Sequence, residues 1–248
     1  MPLFKFQETG AGKHKPQTPS ITSIDGITGT QAVLHGSAFS DPDGDGHAAS
    51  QWQVDLQAGD FSDPVHDSGE TATDLTQHQV TGLTEDTPYK ARVRYKDDSA
   101  DPPTEWSEWS APQNFKTRAK PATPSITNLT KLFRTSCILH GSAFSDADGD
   151  DHAASQWQVD LQTGDFSNPV HDITSGQDLV QHQVTGLDQA TNYKARVRYK
   201  DDSGEPSTEW SAWSTAYNFT TSGAWNGIVF TPEPADGAVQ VTDGTPIK

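Results

Sequence analysis

Asp41, Asp43 and Asp45 stand at alternate positions in SDPDGDGHAAS, Ser40 to Ser50. Where a chain curls, this spacing turns successive carboxylate oxygens toward one centre, and Gly44 and Gly46 permit the curl. Hard oxygen donors suit Ca²⁺ better than a softer ion. The pattern returns 105 residues later as Asp146, Asp148 and Asp150 in SDADGDDHAAS. Farther along, KDDS supplies Asp97 and Asp98 in the first copy, and Asp201 and Asp202 in the second. Four or five carboxylates at one place repel one another unless a cation lies among them. The prediction is one Ca²⁺ in each repeat, held by Asp41, Asp43, Asp45, Asp97 and Asp98, and by Asp146, Asp148, Asp150, Asp201 and Asp202. A solvated Asp-Gly turn is the plainer alternative. Catalysis by paired carboxylates wants a cleft and one acid of raised pKa, and the sequence points to neither.

The likeness to an EF-hand loop ends after six residues. Its twelfth position is Trp52 in place of a bidentate glutamate, and Asp151 stands where the second loop would need glycine. The missing ligands must come from elsewhere, and KDDS is the expected source. His47 and His152 flank the clusters and are expected to hydrogen-bond a ligand carboxylate. His35, His66, His78, His140, His171 and His182 read as polar surface or sheet residues. Cys137 reads as a core residue of a strand. Asn128 and Asn218 begin N-x-T sequons, which mean little without evidence of a secretory route. No phosphate loop, G-x-S-x-G elbow or H-E-x-x-H motif occurs, so the chain is expected not to be an enzyme.

The elements that must position these acids repeat with them. KPQTPSIT aligns with KPATPSIT, and the register continues through LHGSAFSD, HAASQWQVDLQ, QHQVTGL and YKARVRYKDDS, losing one residue between Asp67 and His78. This gives a short extension (1–15), repeat one (16–118), repeat two (121–221) and a tail (222–248). Trp52, Val54 and Leu56 alternate with Gln51, Gln53, Asp55 and Gln57. Tyr89, Ala91, Val93 and Tyr95 alternate with Lys90, Arg92, Arg94 and Lys96. A period of two marks strands with one buried face. No segment keeps a 3.6-residue stripe, and Gly and Pro together number 36, so turns break the runs. The fold class is all-β: two tandem immunoglobulin-like sandwiches of about seven strands each.

The Pro-rich lead-in, the GL.....Y.ARVRY segment and the closing W..W.....F.T strand together resemble fibronectin type III modules, over nearly the whole of both repeats. The resemblance implies a tyrosine corner at Leu83/Tyr89 and at Leu187/Tyr193. The second-strand tryptophan usual in that family is missing, and Trp52 of the third strand takes its place. TEWSEWS and TEWSAWS resemble the WSXWS box of cytokine-receptor modules. That likeness implies a ladder of Trp106 and Trp109 with Arg92 and Arg94, and of Trp210 and Trp213 with Arg196 and Arg198. Its first expected role is to stiffen the sheet; a carbohydrate platform is the alternative.

A net charge of −17 repels phosphate backbones and anionic lipid, so neither nucleic acid nor membrane insertion is expected. The single cysteine allows no internal disulfide, and a bound ion would tie the loops instead. MPLFKFQ lacks the apolar core of a signal peptide. These features lead to an expected calcium-stabilised structural or adhesion module of an extracellular or viral assembly, such as a phage tail or surface fibre. Its partners would be further copies or other assembly proteins, with surface carbohydrate as a further candidate. The alternative is an accessory carbohydrate-binding or spacer region of a secreted bacterial polysaccharide-degrading enzyme. MPLFKFQ and WNGIVFTP are expected to add strands to a sheet edge, in this chain or another copy.

Overall fold

The computed structural model describes residues 12–223 and the backbone of two tail strands; MPLFKFQ and much of WNGIVFTP lie outside the described residues. The chain divides into two compact units: Met1–Ala122 with Ser145–Asp151 and Lys200–Ser211, and Thr123–Phe144 with His152–Tyr199 and Ala212–Lys248. The division thus follows the sequence repeats except at two loops of the second copy.

Repeat one contains β1 (Ile21–Asp25), β2 (Gln31–Gly36), β3 (His47–Leu56), β4 (His66–Asp67), β5 (Gln77–Thr81), β6 (Pro88–Asp97) and β7 (Gln113–Lys116). They form two antiparallel sheets, β1-β2-β5 and β4-β3-β6-β7. Repeat two has the same plan: β8 (Ile126–Thr130), β9 (Ser136–Gly141), β10 (His152–Leu161), β11 (His171–Ser175), β12 (Gln181–Thr185), β13 (Asn192–Asp201) and β14 (Tyr217–Thr220). Its sheets run β12-β9-β8 and β11-β10-β13-β14. No helix occurs among the described residues. In the tail, β15 (Val229–Pro232) pairs with β16 (Val239–Thr242). Of WNGIVFTP only its last four residues, in β15, are among the described residues, and they pair within the tail.

The alternation in β6 is borne by the core: Tyr89, Ala91, Val93 and Tyr95 are all buried. Trp52 and Val54 of β3 lie at 0% exposure in the same core, with Leu34 and Val80 of the facing sheet. Trp157 and Val159 do the same with Leu139 and Val184. Each buried indole still needs an acceptor. Trp52 Nε1 donates to Asp74 O at 2.8 Å, and Trp157 Nε1 to Asp178 O at 3.0 Å.

Leu56 departs from the expected pattern. It is 45% exposed, whereas Asp55 is buried. The Asp55 carboxylate accepts from Leu56 N and Phe61 N, both at 2.8 Å. Those bonds wind the chain into a turn at the strand end, so the period of two stops one residue early. Asp160 repeats the arrangement with Leu161 N and Phe166 N.

Candidate metal centre

The β2–β3 loop and the β6–β7 loop meet at one end of the first sandwich. Asp98 N donates to Gly46 O (3.1 Å), and Gly46 N returns a bond to Asp98 Oδ1 (2.8 Å). Asp41 Oδ1 accepts from Asp43 N (2.7 Å) and Asp45 N (3.3 Å), which winds the D-x-D-x-D segment around one oxygen. The other, Asp41 Oδ2, is buried and has no partner. Asp97 is only 1% exposed, with Oδ1 accepting from Ser99 N (2.9 Å) and Ser99 Oγ (2.6 Å). Its Oδ2 is likewise buried and unpartnered.

The second copy keeps this wiring. Asp146 Oδ1 accepts from Asp148 N (2.8 Å) and Asp150 N (3.3 Å), and Asp146 Oδ2 is unpartnered. Asp201 Oδ1 accepts from Ser203 N (3.0 Å) and Ser203 Oγ (2.5 Å). Donor oxygens of Asp41, Asp43 and Asp45 lie within 4.8 Å of one another, as do those of Asp146, Asp150 and Asp201. Oxygens around one Ca²⁺ at 2.3–2.6 Å can stand no more than about 5 Å apart, so both groups match a single ion in span. Asp98 and Asp202 stand differently. Each gives Oδ1 to a loop N–H, of Gly46 or Asp151, and so braces the loop.

Sequence reasoning missed a second participant, the lead-in segment. Lys13 Nζ lies 2.9 and 2.8 Å from the two Asp45 oxygens, and His14 N donates to Asp43 Oδ2 at 2.6 Å. In the second copy Arg118 pairs with Asp150, and Ala119 N donates to Asp148 Oδ2 at 2.8 Å. The signal was present in the repeat, since Lys13 and Arg118 occupy equivalent places ahead of KPQTPSIT and KPATPSIT.

The electrostatics follow from this crowding. Burial, with Asp150 and Asp146 adding their charge, holds the Asp201 carboxyl above the usual carboxylate range despite the Ser203 bonds. The His14 backbone N–H, then its ring, holds Asp43 below that range. His47 does not reach the cluster in the way expected. Its ring stacks on Phe39 (centroids 4.5 Å apart, 14° between planes) and its Nε2 meets Ser50 Oγ at 3.0 Å. His152 does the same with Phe144 and Ser155. Burial beside these aromatic rings penalises the charged imidazole and lowers the pKa of both histidines.

On the outward face of β6 the Arg92 guanidinium lies 4.3 Å from the Trp109 ring centroid. Arg94 lies 4.4 Å from Trp106 and 4.7 Å from Trp109. In repeat two, Arg196 and Arg198 lie 4.2 and 4.7 Å from Trp213, and Lys200 is 5.9 Å from Trp210. The stack also takes in Phe61, 4.1 Å from Arg92 and 5.0 Å from Lys90, and Phe166, 4.2 Å from Arg196. Phe61 occupies the left-handed region at φ 64°, a strained place for a bulky side chain. The serines of the box hold the tryptophans in place: Tyr95 N donates to Ser107 Oγ (3.0 Å) and Val93 N to Ser110 Oγ (3.1 Å).

Tyr89 OH accepts from Thr84 N at 2.9 Å, and Tyr193 OH from Asp188 N at 2.8 Å, which makes the two tyrosine corners. The chain is a tandem of two antiparallel, immunoglobulin-like β-sandwiches. No protein-family profile matches the sequence, and no curated protein matches it. Among solved structures it is similar to a two fibronectin type III domain segment from chicken tenascin. The identity is 13%, the match covers 83% of this chain and 100% of that one, and the TM-score is 0.35.

Proposed function

We propose that the chain is a non-enzymatic, calcium-stabilised structural or adhesion module, built into an extracellular or viral assembly. Buried Asp97 Oδ2 and Asp41 Oδ2, both without partners, carry the calcium part of this reading. A buried anion without a partner is costly unless a cation compensates it. Ca²⁺ accepts six to eight oxygens in flexible geometry, so four aspartates, loop carbonyls and water suffice. Lys13 and Arg118 supply a cation to the same acids when calcium is lacking.

The non-enzymatic part draws on the side chains themselves. Cys137 is buried, and burial pushes its thiol up to about 11, away from the nucleophilic thiolate. A concavity of about 420 Å³ lined by Leu56, Gln57, Ala58 and Pro88 offers no acid, base or nucleophile. The Trp106 and Trp109 rings are engaged by arginine, which disfavours a sugar-stacking platform.

Melting of the full chain with Ca²⁺ and with chelator tests the ion. A ligand that binds the native state at a hundredfold excess over its Kd adds about 2.7 kcal/mol, several degrees of midpoint for modules of this size. An unmoved midpoint removes calcium from the proposal. Glycan-array binding lost in Trp109→Ala would replace the assembly role with carbohydrate recognition.

A further inference from the structure

The histidines read from sequence as plain sheet residues form a second constellation, far from the acidic loops in composition. His66 of β4 and His78 of β5 point their Nε2 atoms at each other across 2.8 Å. β4 ends one sheet and β5 ends the other, so this contact joins two sheet edges. His78 Nδ1 lies 2.8 Å from Asp74 Oδ2, and its ring stacks on buried Trp52 with centroids 6.0 Å apart. The second module has His171 and His182 at 2.9 Å, His182 Nδ1 at 2.9 Å from Asp178, and Trp157 beneath His182. The two copies differ in length between their histidines, yet both close the same pair.

We infer that each His66/His78 and His171/His182 pair is a binding site for a borderline transition-metal ion, best Cu²⁺. A carboxylate on Nδ1 fixes the inner ring's proton there and leaves the Nε2 lone pair outward, which is the arrangement that orients metal-bound histidine. In the metal-free pair, His66 Nε2–H donates to His78 Nε2. When an ion enters between them the His66 proton moves to Nδ1, both Nε2 lone pairs are donated, and no net proton is lost from the neutral rings. The lone pairs must swing off the line joining the two atoms. The outer ring, half-buried at the start of an edge strand in both modules, supplies that movement.

The paired nitrogens, 2.8–2.9 Å apart as a hydrogen bond, become cis ligands of one ion once the outer ring turns. Imidazole donors suit Cu²⁺, Ni²⁺ and Zn²⁺. Cu²⁺ also heads the affinity order for nitrogen donors. Water completes the coordination from the solvent side. Burial, and then the neighbouring imidazole, lowers the pKa of His66 and His171 and keeps them in the neutral form that binds metal.

The test is titration of the full chain with Cu²⁺ in the presence of Ca²⁺, read by calorimetry and by electron paramagnetic resonance. Two ions per chain are expected, each showing two equatorial nitrogens. His66→Gln should remove one ion, His171→Gln the other, and the double variant both. Absence of binding at tenfold excess of Cu²⁺, or unchanged stoichiometry in the double variant, overturns the inference. Should a variant misfold, paramagnetic broadening in amide spectra of the unaltered chain decides: broadening centred on 66/78 and 171/182 supports the sites, and broadening centred elsewhere overturns them.

Discussion

Asp97 combines 1% exposure with an oxygen that nothing satisfies, and the energetic sign of that oxygen depends on the ion. Replacing the carboxylate with an amide keeps the Ser99 bonds to Oδ1 and removes a charge from the cluster. In chelator, Asp97→Asn should therefore stabilise the chain, by about 1–3 kcal/mol if the desolvation cost of one unpaired buried group is relieved. In saturating Ca²⁺ the same change should destabilise it. Denaturant unfolding under the two conditions reads both signs, and the same sign in both would remove the carboxylate from the site. The imidazoles give a second prediction at this scale. His47, His66, His152 and His171 all have pKa values lowered below 6.5, first by burial. The unfolded chain then binds more protons than the folded one. Their contribution is intact above about pH 6.5 and is lost as the pH falls through and below that value. The midpoint of metal-free protein should fall between pH 7 and pH 5, and less steeply in the His66→Gln, His171→Gln double variant.

Elements translate these residues into a sandwich end and a stiffened face. The Trp-Ser-x-Trp-Ser segment does not pair along β6 as a full strand; its serine N–H groups donate to Tyr95 O and Val93 O, while their Oγ atoms accept from Tyr95 N and Val93 N. Ser110→Ala would leave the buried Val93 N–H without its acceptor, a loss of about 1–3 kcal/mol in denaturant unfolding, whereas Ser110→Thr keeps the oxygen and should cost less. The lead-in carries its own prediction. Because Lys13 and an ion draw on the same Asp45 oxygens, Lys13→Ala should bind Ca²⁺ more tightly in the first module, measured by calorimetry. The period of two made the long strands legible, and Tyr89 after Leu83 marked its corner, because local alternation and a turn residue suffice for both. D-x-D-x-D located the acids for the same local reason. What the sequence hid is non-local. Asp98 turning to a backbone N–H, Lys13 reaching back 32 residues and His66 meeting His78 across two sheet edges each depend on how loops close, and no periodicity records that. Leu56 was misplaced because a side-chain carboxylate, Asp55, ended the strand before its pattern did.

At the scale of the whole chain, duplication and charge set the terms. The acidic turn at Asp41 recurs at Asp146, and the His66/His78 contact recurs at His171/His182, each with its hydrogen bonds. A net charge of −17 on 248 residues also attracts cations diffusely, so calcium's effect must be separated from screening. The two differ in form. Screening by NaCl rises smoothly with ionic strength and has no stoichiometry, whereas a site saturates. Calorimetric titration should give two Ca²⁺ per chain, with Mg²⁺ much weaker because it demands a tighter octahedron and gives up water reluctantly. Asp97→Asn and Asp201→Asn should each lower the count to one and leave the affinity of the remaining site unchanged, since neither cluster contributes a carboxylate to the other. Sodium chloride at matched ionic strength should leave a smaller, unsaturable shift of the midpoint. A calcium response that follows ionic strength alone would reduce both acidic ends to solvated turns neutralised by Lys13 and Arg118.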